Sequence, residues 1–77
     1  MKVQVFPPPL ASLTHLDEDG MMTLPPGARL LTVYRQLKIP LVLQPLLICH
    51  VNYQRVKLST PLKHGDVISF ILPLAGG

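Results

Sequence analysis

The sequence predicts an α+β fold, a mixed sheet of four or five strands with one main helix packed across it. Short apolar runs bounded by proline, glycine and aspartate recur along the chain, and each is of strand length. One segment, from Ala28 to Lys38, switches instead to helical periodicity. The connections are short, so consecutive elements must lie side by side. With 77 residues, 48% of them hydrophobic, the chain is too small for a multidomain enzyme, and residues 1–73 are expected to form one domain followed by a flexible tail, 74–77.

Each element has its own justification. Val3 and Val5 alternate with Lys2 and Gln4 until Pro7-Pro8-Pro9 stops the run, which predicts a strand over 2–6. Residues 7–17 read as a loop, Asp17-Glu18-Asp19-Gly20 as a turn, and Met21 to Leu24 as a short strand ended by Pro25-Pro26-Gly27. Leu30, Val33, Tyr34 and Leu37 then fall at i, i+3, i+4 and i+7, the stripe of an amphipathic helix that Pro40 prevents from continuing. After a proline-broken connection over 41–46, Leu46 to Val51 is almost wholly apolar, as a strand in the middle of a sheet should be. Asn52 to Arg55 is expected to turn the chain, Val56 to Leu58 to form a short strand, and His64-Gly65-Asp66 a tight turn.

The last strand is expected over Val67 to Leu72. Val67, Ser69 and Ile71 point one way and Ile68, Phe70 and Leu72 the other, so the strand is apolar on both sides. One helix covers only one face of a sheet. Either the connections at 7–17 and 39–46 cover the second face, or that face is a surface for a partner.

Several classes of chemistry are excluded or disfavoured. Cys49, the single cysteine, makes no internal disulfide and sits in an apolar strand, where a thiol is normally a small buried hydrophobe. With His15, His50 and His64 it offers no ligand spacing for a metal, and none is expected. The longest apolar stretch, Ile39 to Cys49, is broken by Pro40, Gln44 and Pro45 and falls far short of the ~20 residues of a membrane span. Without a recognisable secretory signal, the chain is expected to be cytoplasmic and to have no membrane partner. The net charge of +3 is uneven: residues 20–77 carry six basic residues against Asp66 alone. Arg29, Arg35, Lys38, Arg55, Lys57 and Lys63 form no dense run, and with only four aromatics for stacking no nucleic-acid partner is expected.

The chain closes on Leu72-Pro73-Leu74-Ala75-Gly76-Gly77. Placed straight after a strand, this ending resembles that of the ubiquitin-like β-grasp sulfur carriers, the family of the molybdopterin synthase small subunit and the thiazole-forming carrier of thiamine synthesis. The resemblance runs along nearly the whole chain, through Pro26-Gly27-Ala28 before the helix, Leu37-Lys38-Ile39-Pro40 at its end, Val51-Asn52, and Pro61-Leu62-Lys63-His64-Gly65-Asp66-Val67 before the last strand. Three positions depart from the family pattern. Arg29 replaces the usual Thr or Ser helix cap, so a less well satisfied helix start is expected; Tyr53 replaces a glycine and His64 an aspartate.

What the resemblance implies is a β-grasp fold and a protein substrate, not an enzyme. An E1-like adenylating enzyme would use ATP to activate the Gly77 carboxylate, and a sulfur donor would convert it to a thiocarboxylate, with no cofactor bound to the chain itself. Gly77, with Gly76, is then the reactive site, and Phe70, Leu72, Pro73, Leu74 and Ala75 are expected to contact partners. Residues without a Cβ thread a narrow channel easily, and Leu74 to Gly77 extended would reach roughly 13–14 Å beyond Pro73. Pro73 and the chain length resemble the molybdopterin synthase small subunit more than the thiazole carrier, which makes the large subunit of that synthase the expected acceptor and thiazole synthase the alternative. A ubiquitin-like protein modifier and a β-grasp binding module with an idle tail are the other readings.

Overall fold

A computed structural model describes residues 1–8, 10–40 and 42–71. The expected tail, 74–77, together with Leu72 and Pro73, lies outside the described residues. The elements run β1 (Lys2–Phe6), β2 (Met21–Thr23), α1 (Leu30–Leu37), a 3-10 turn (Gln44–Leu46), β3 (Ile48–Val51), β4 (Gln54–Arg55) and β5 (Val67–Ile71). Among the described residues, no helix is long and apolar enough to cross a membrane.

The five strands form one sheet in the order β2-β1-β5-β3-β4. β1 and β5 pair in parallel at its centre, with Val5 opposite Ile68 and Phe6 opposite Ser69. The other pairs are antiparallel. The expected mixed sheet with one helix is therefore present, with all five strands in it.

Strand alternation sends Val3, Val5, Met22, Cys49, Val51 and Ile68 to one face, where they meet Leu30, Val33, Tyr34 and Leu37 of α1 in a single core. Val3, Met22, Leu30, Val33, Leu37 and Ile68 are wholly shielded from water. At ~1.5–3 kcal/mol for each fully buried aliphatic side chain, this stripe holds a helix of 8 residues that would be marginal alone.

Several boundaries differ from those predicted. The helix begins at Leu30, two residues after the expected start, because Ala28 and Arg29 are drawn into contact with the 58–62 segment: Leu62 N–H donates to Ala28 O at 2.9 Å. The third strand begins at Ile48, since Pro45 and its neighbours close a 3-10 turn instead of extending. The largest correction concerns β4. Asn52 and Tyr53 both take positive φ, 53° and 68°, so the chain reverses in two residues and Gln54–Arg55 pairs with β3. Val56 to Leu58, expected as the strand, instead leaves the sheet: Val56 packs against the core and Leu58 O accepts from Leu31 N–H at the start of α1.

The helix start is better satisfied than Arg29 suggested. An arginine side chain accepts no hydrogen bond, yet Leu30 and Leu31 N–H donate to the carbonyls of Thr60 and Leu58, each at 3.0 Å. Thr32 Oγ1 accepts from Arg29 N–H at 3.3 Å. Carbonyls from a distant loop thus take the place of a side-chain cap.

Candidate functional site

The parallel pairing of β1 and β5 places the end of β5, from which residues 72–77 continue, in the middle of the sheet. The turn at residues 63–66 sets the register of β5. Gly65 has φ 88°, a conformation that glycine adopts without strain, and its N–H donates to Lys2 O at 2.8 Å. His64 Nδ1 accepts from Lys2 N–H at 3.0 Å, a second tie between this turn and β1. Asp66 fixes the turn from within, its Oδ2 accepting from Lys63 N–H at 2.8 Å. The start of β5 is thereby tied to the start of β1.

Beyond the turn, β5 presents its two faces differently. Ile68 is fully buried under α1, and Phe70 on the same side is half-buried, its ring meeting Tyr34 edge-on at 5.2 Å between centroids. Val67, Ser69 and Ile71 lie on the opposite face. There Ile71 stands opposite Ile48, and Ser69 lies between Phe6 and His50. Phe6 is 54% exposed and Ile71 46%.

The connections that were expected to compete for this face lie elsewhere. Ser12 N–H donates to Leu37 O at 2.6 Å, which holds the first long connection at the end of α1. Ala11, Leu16 and Leu43 pack against the buried core. Among the described residues the second face thus stays open, with Phe6, Ile48 and Ile71 as its apolar centre. Of the predicted partner residues, Phe70 is the one described, and it sits on the helix side. Leu72, Pro73, Leu74, Ala75, Gly76 and Gly77 lie outside the described residues. Phe6 was missed because Pro7 after it read only as a strand stop, although its place in the Lys2-Gln4-Phe6 series carried the signal.

Cys49 is buried beside Tyr34. Burial pushes its thiol up to about 11, against the opposing effect of the Tyr34 hydroxyl, and burial pushes the Tyr34 phenol up to about 12. A thiol so protonated is a packing residue, not a nucleophile. The three histidines stand on separate elements, and among the described residues no three His, Cys, Asp or Glu side chains cluster to hold a metal ion.

Comparison with known proteins agrees with this architecture. The sequence pattern of the ThiS family matches residues 10–77. The fold is similar to that of SAMP1 from Haloferax volcanii, with a TM-score of 0.61 over 99% of this chain and 97% of that one, at 13% identity. No curated protein sequence matches the chain closely enough to count as a relative.

Proposed function

The chain belongs to the ThiS family, and on that premise we propose that it is a sulfur carrier, a protein substrate whose Gly77 carboxylate is activated and then loaded with sulfur. An α-carboxyl group has a pKa near ~3.3–3.7 and is an anion at neutral pH. One of its oxygens attacks the α-phosphorus of ATP in an E1-like adenylating enzyme, and pyrophosphate leaves. A hydrosulfide-level nucleophile then attacks the acyl carbon, AMP leaves, and Gly77 carries a thiocarboxylate. ATP and the sulfur donor belong to the partner enzyme.

The observation that carries this reading is the family match across residues 10–77, which takes in Gly76-Gly77. The open apolar face around Phe6 and Ile71 supports it, since a carried substrate must dock on larger enzymes. As acceptor we propose the large subunit of molybdopterin synthase, on the strength of Pro73 and the chain length. The family match itself also accommodates thiazole synthase as acceptor.

Intact-mass spectrometry tests the proposal. Incubation with an E1-like enzyme, ATP and a sulfide source should replace one oxygen of Gly77 with sulfur, a gain of about 16 Da by the difference in atomic mass. An unchanged mass alongside an enzyme that activates its own carrier would overturn it. Higher-mass conjugates on lysines would instead identify a protein modifier.

A further inference from the structure

The open face of the sheet carries its charge unevenly. Phe6, Ser69, His50 and Arg55 lie side by side across β1, β5, β3 and β4, and paired residues share a face, so all four side chains stand on the side away from α1. Arg55 is thus the outermost group at one margin of that face. The turn before β2 forms the other margin. Gln4, which shares the face, donates through Nε2 to Asp19 O at 3.0 Å and to Gly20 O at 3.2 Å, and Val5 N–H donates to Gly20 O at 3.0 Å, so this turn is held against β1. Lys2 pairs with Asp17 at 3.9 Å. Among the described residues Glu18, Asp19 and Arg55 have no ion-pair partner, and all three are exposed. An acidic margin beside β2 and a basic one on β4 therefore flank the apolar centre of Phe6, Ile48 and Ile71.

We propose that this face binds a second copy of the chain, face to face about a two-fold axis parallel to the strands. β5 is the middle strand of the five. Rotation by half a turn about an axis running along β5 lays β1 of each copy over β3 of the other and β2 over β4, while Ile71 meets Ile71. Glu18 and Asp19 of each copy then face Arg55 of the other, and Phe6 faces His50. A two-fold axis across the strands would instead set acid on acid and base on base, so the charge pattern selects between the two arrangements. The patch is its own complement, and both unpaired signs are used twice. Five strands at ~4.8 Å spacing make a face only about 20 Å wide, which places the interface among the small ones, below ~1,200 Å² in total, and makes the pair weak and concentration-dependent. The pairing itself does not depend on the sulfur-carrier reading. On that reading it hides Phe6 and Ile71, and so competes with docking on the activating enzyme.

The test is self-association of the full chain, followed by sedimentation velocity and by 15N amide spectra from about 10 µM to about 1 mM. Concentrating the chain should shift the amides of Phe6, Glu18 to Gly20, His50, Arg55 and Ile71, and raising the salt should weaken the pair. Arg55→Glu alone, or Glu18→Lys with Asp19→Lys, should weaken association about tenfold, because each sets like charges against one another. Mixing the two variants should restore association to within about twofold of the parent chain, since every margin then meets its opposite sign. Arg35→Glu, on the exposed side of α1, should leave association within about twofold. Circular dichroism and melting temperature establish that each variant is folded. A chain that stays monomeric throughout, shifts confined to Leu31 to Arg35, or no recovery on mixing would overturn the proposal. Loss of pairing on removal of residues 72–77 would assign the contact to the chain's own end, and shifts at Phe6 and Ile71 seen only on adding a different protein would give the face to that partner; either result overturns it. Pairing that persists while Gly77 gains no sulfur would sink the carrier reading and leave this one standing.

Discussion

Asn52 and Asp66 clasp the β3–β4 turn to the start of β5. Asn52 Nδ2 donates to Asp66 Oδ1 at 2.9 Å, while Asn52 Oδ1 accepts from Val67 N–H at 2.9 Å and Asn52 N–H donates to Val67 O at 2.7 Å. With the Lys63 N–H on Oδ2, a single carboxylate thus joins two turns that are 14 residues apart.

Removing that carboxylate should therefore cost more than an ordinary surface change. Asp66→Ala is expected to lower stability by about 1–2 kcal/mol, since it removes two hydrogen bonds to a charged acceptor in a partly solvated setting. Urea denaturation measures this. Asn52→Ala combined with Asp66→Ala should cost less than the sum of the single changes, and strict additivity would show that the two residues act separately.

Tyr53 departs from its family's glycine at a position with φ 68° and is 81% exposed. Tyr53→Gly should relieve the left-handed strain and lose little packing. After the entropy that glycine gains in the unfolded chain, the net stabilisation expected is about 0.5–1 kcal/mol. A lower melting temperature in the variant would contradict this.

Stability should also depend on pH at both ends of the range. Cys49 rises from 9.0 unfolded to about 11 folded, and Tyr34 from 10.0 to about 12, so the unfolded chain ionises first. Their contribution is complete below about pH 9 and is lost as pH rises toward 11–12. Melting temperature should fall across that window, and Cys49→Ala should remove the part that begins near pH 9. Asp17 gives the opposite limb. The N–H of Met21 holds its carboxylate below 3.8, with further help from the N–H of Asp19 and from Lys2, so its contribution is present above 3.8 and lost as pH falls. Asp17→Asn should flatten the acid limb.

Phe6 and Ile71 offer a direct check on the open face. On the proposed function, Phe6→Glu and Ile71→Glu should raise the KM of Gly77 activation by about tenfold with little change in kcat, because docking precedes chemistry. Both side chains are about half exposed, so the melting temperature should change little. An unchanged KM in both variants would exclude this face from docking on the activating enzyme.

Periodicity alone was enough to read β1, β2, the stripe of α1 and the covered side of β5, because burial demands the same alternation wherever a strand or helix meets a core. The Gly65-Asp66 turn was legible too, since glycine and aspartate state their backbone preferences locally. The position of β4 was not. Tyrosine has no preference for a left-handed turn, and only the pairing of Gln54 and Arg55 with β3 makes Tyr53 adopt one. The helix start was misread for a similar reason, as its donors are met by Thr60 and Leu58 from a loop more than 20 residues away.

By itself the sequence determined a small α+β domain, the composition of its core, the inert setting of Cys49 and the resemblance that points to Gly77. Each follows from local pattern or residue chemistry. Tertiary structure decided which face of β5 is open, that Phe6 joins Ile71 there while Phe70 turns to Tyr34, and that Asn52 meets Asp66 across two turns. These depend on which strands become neighbours, and that is settled only when the whole core closes around α1.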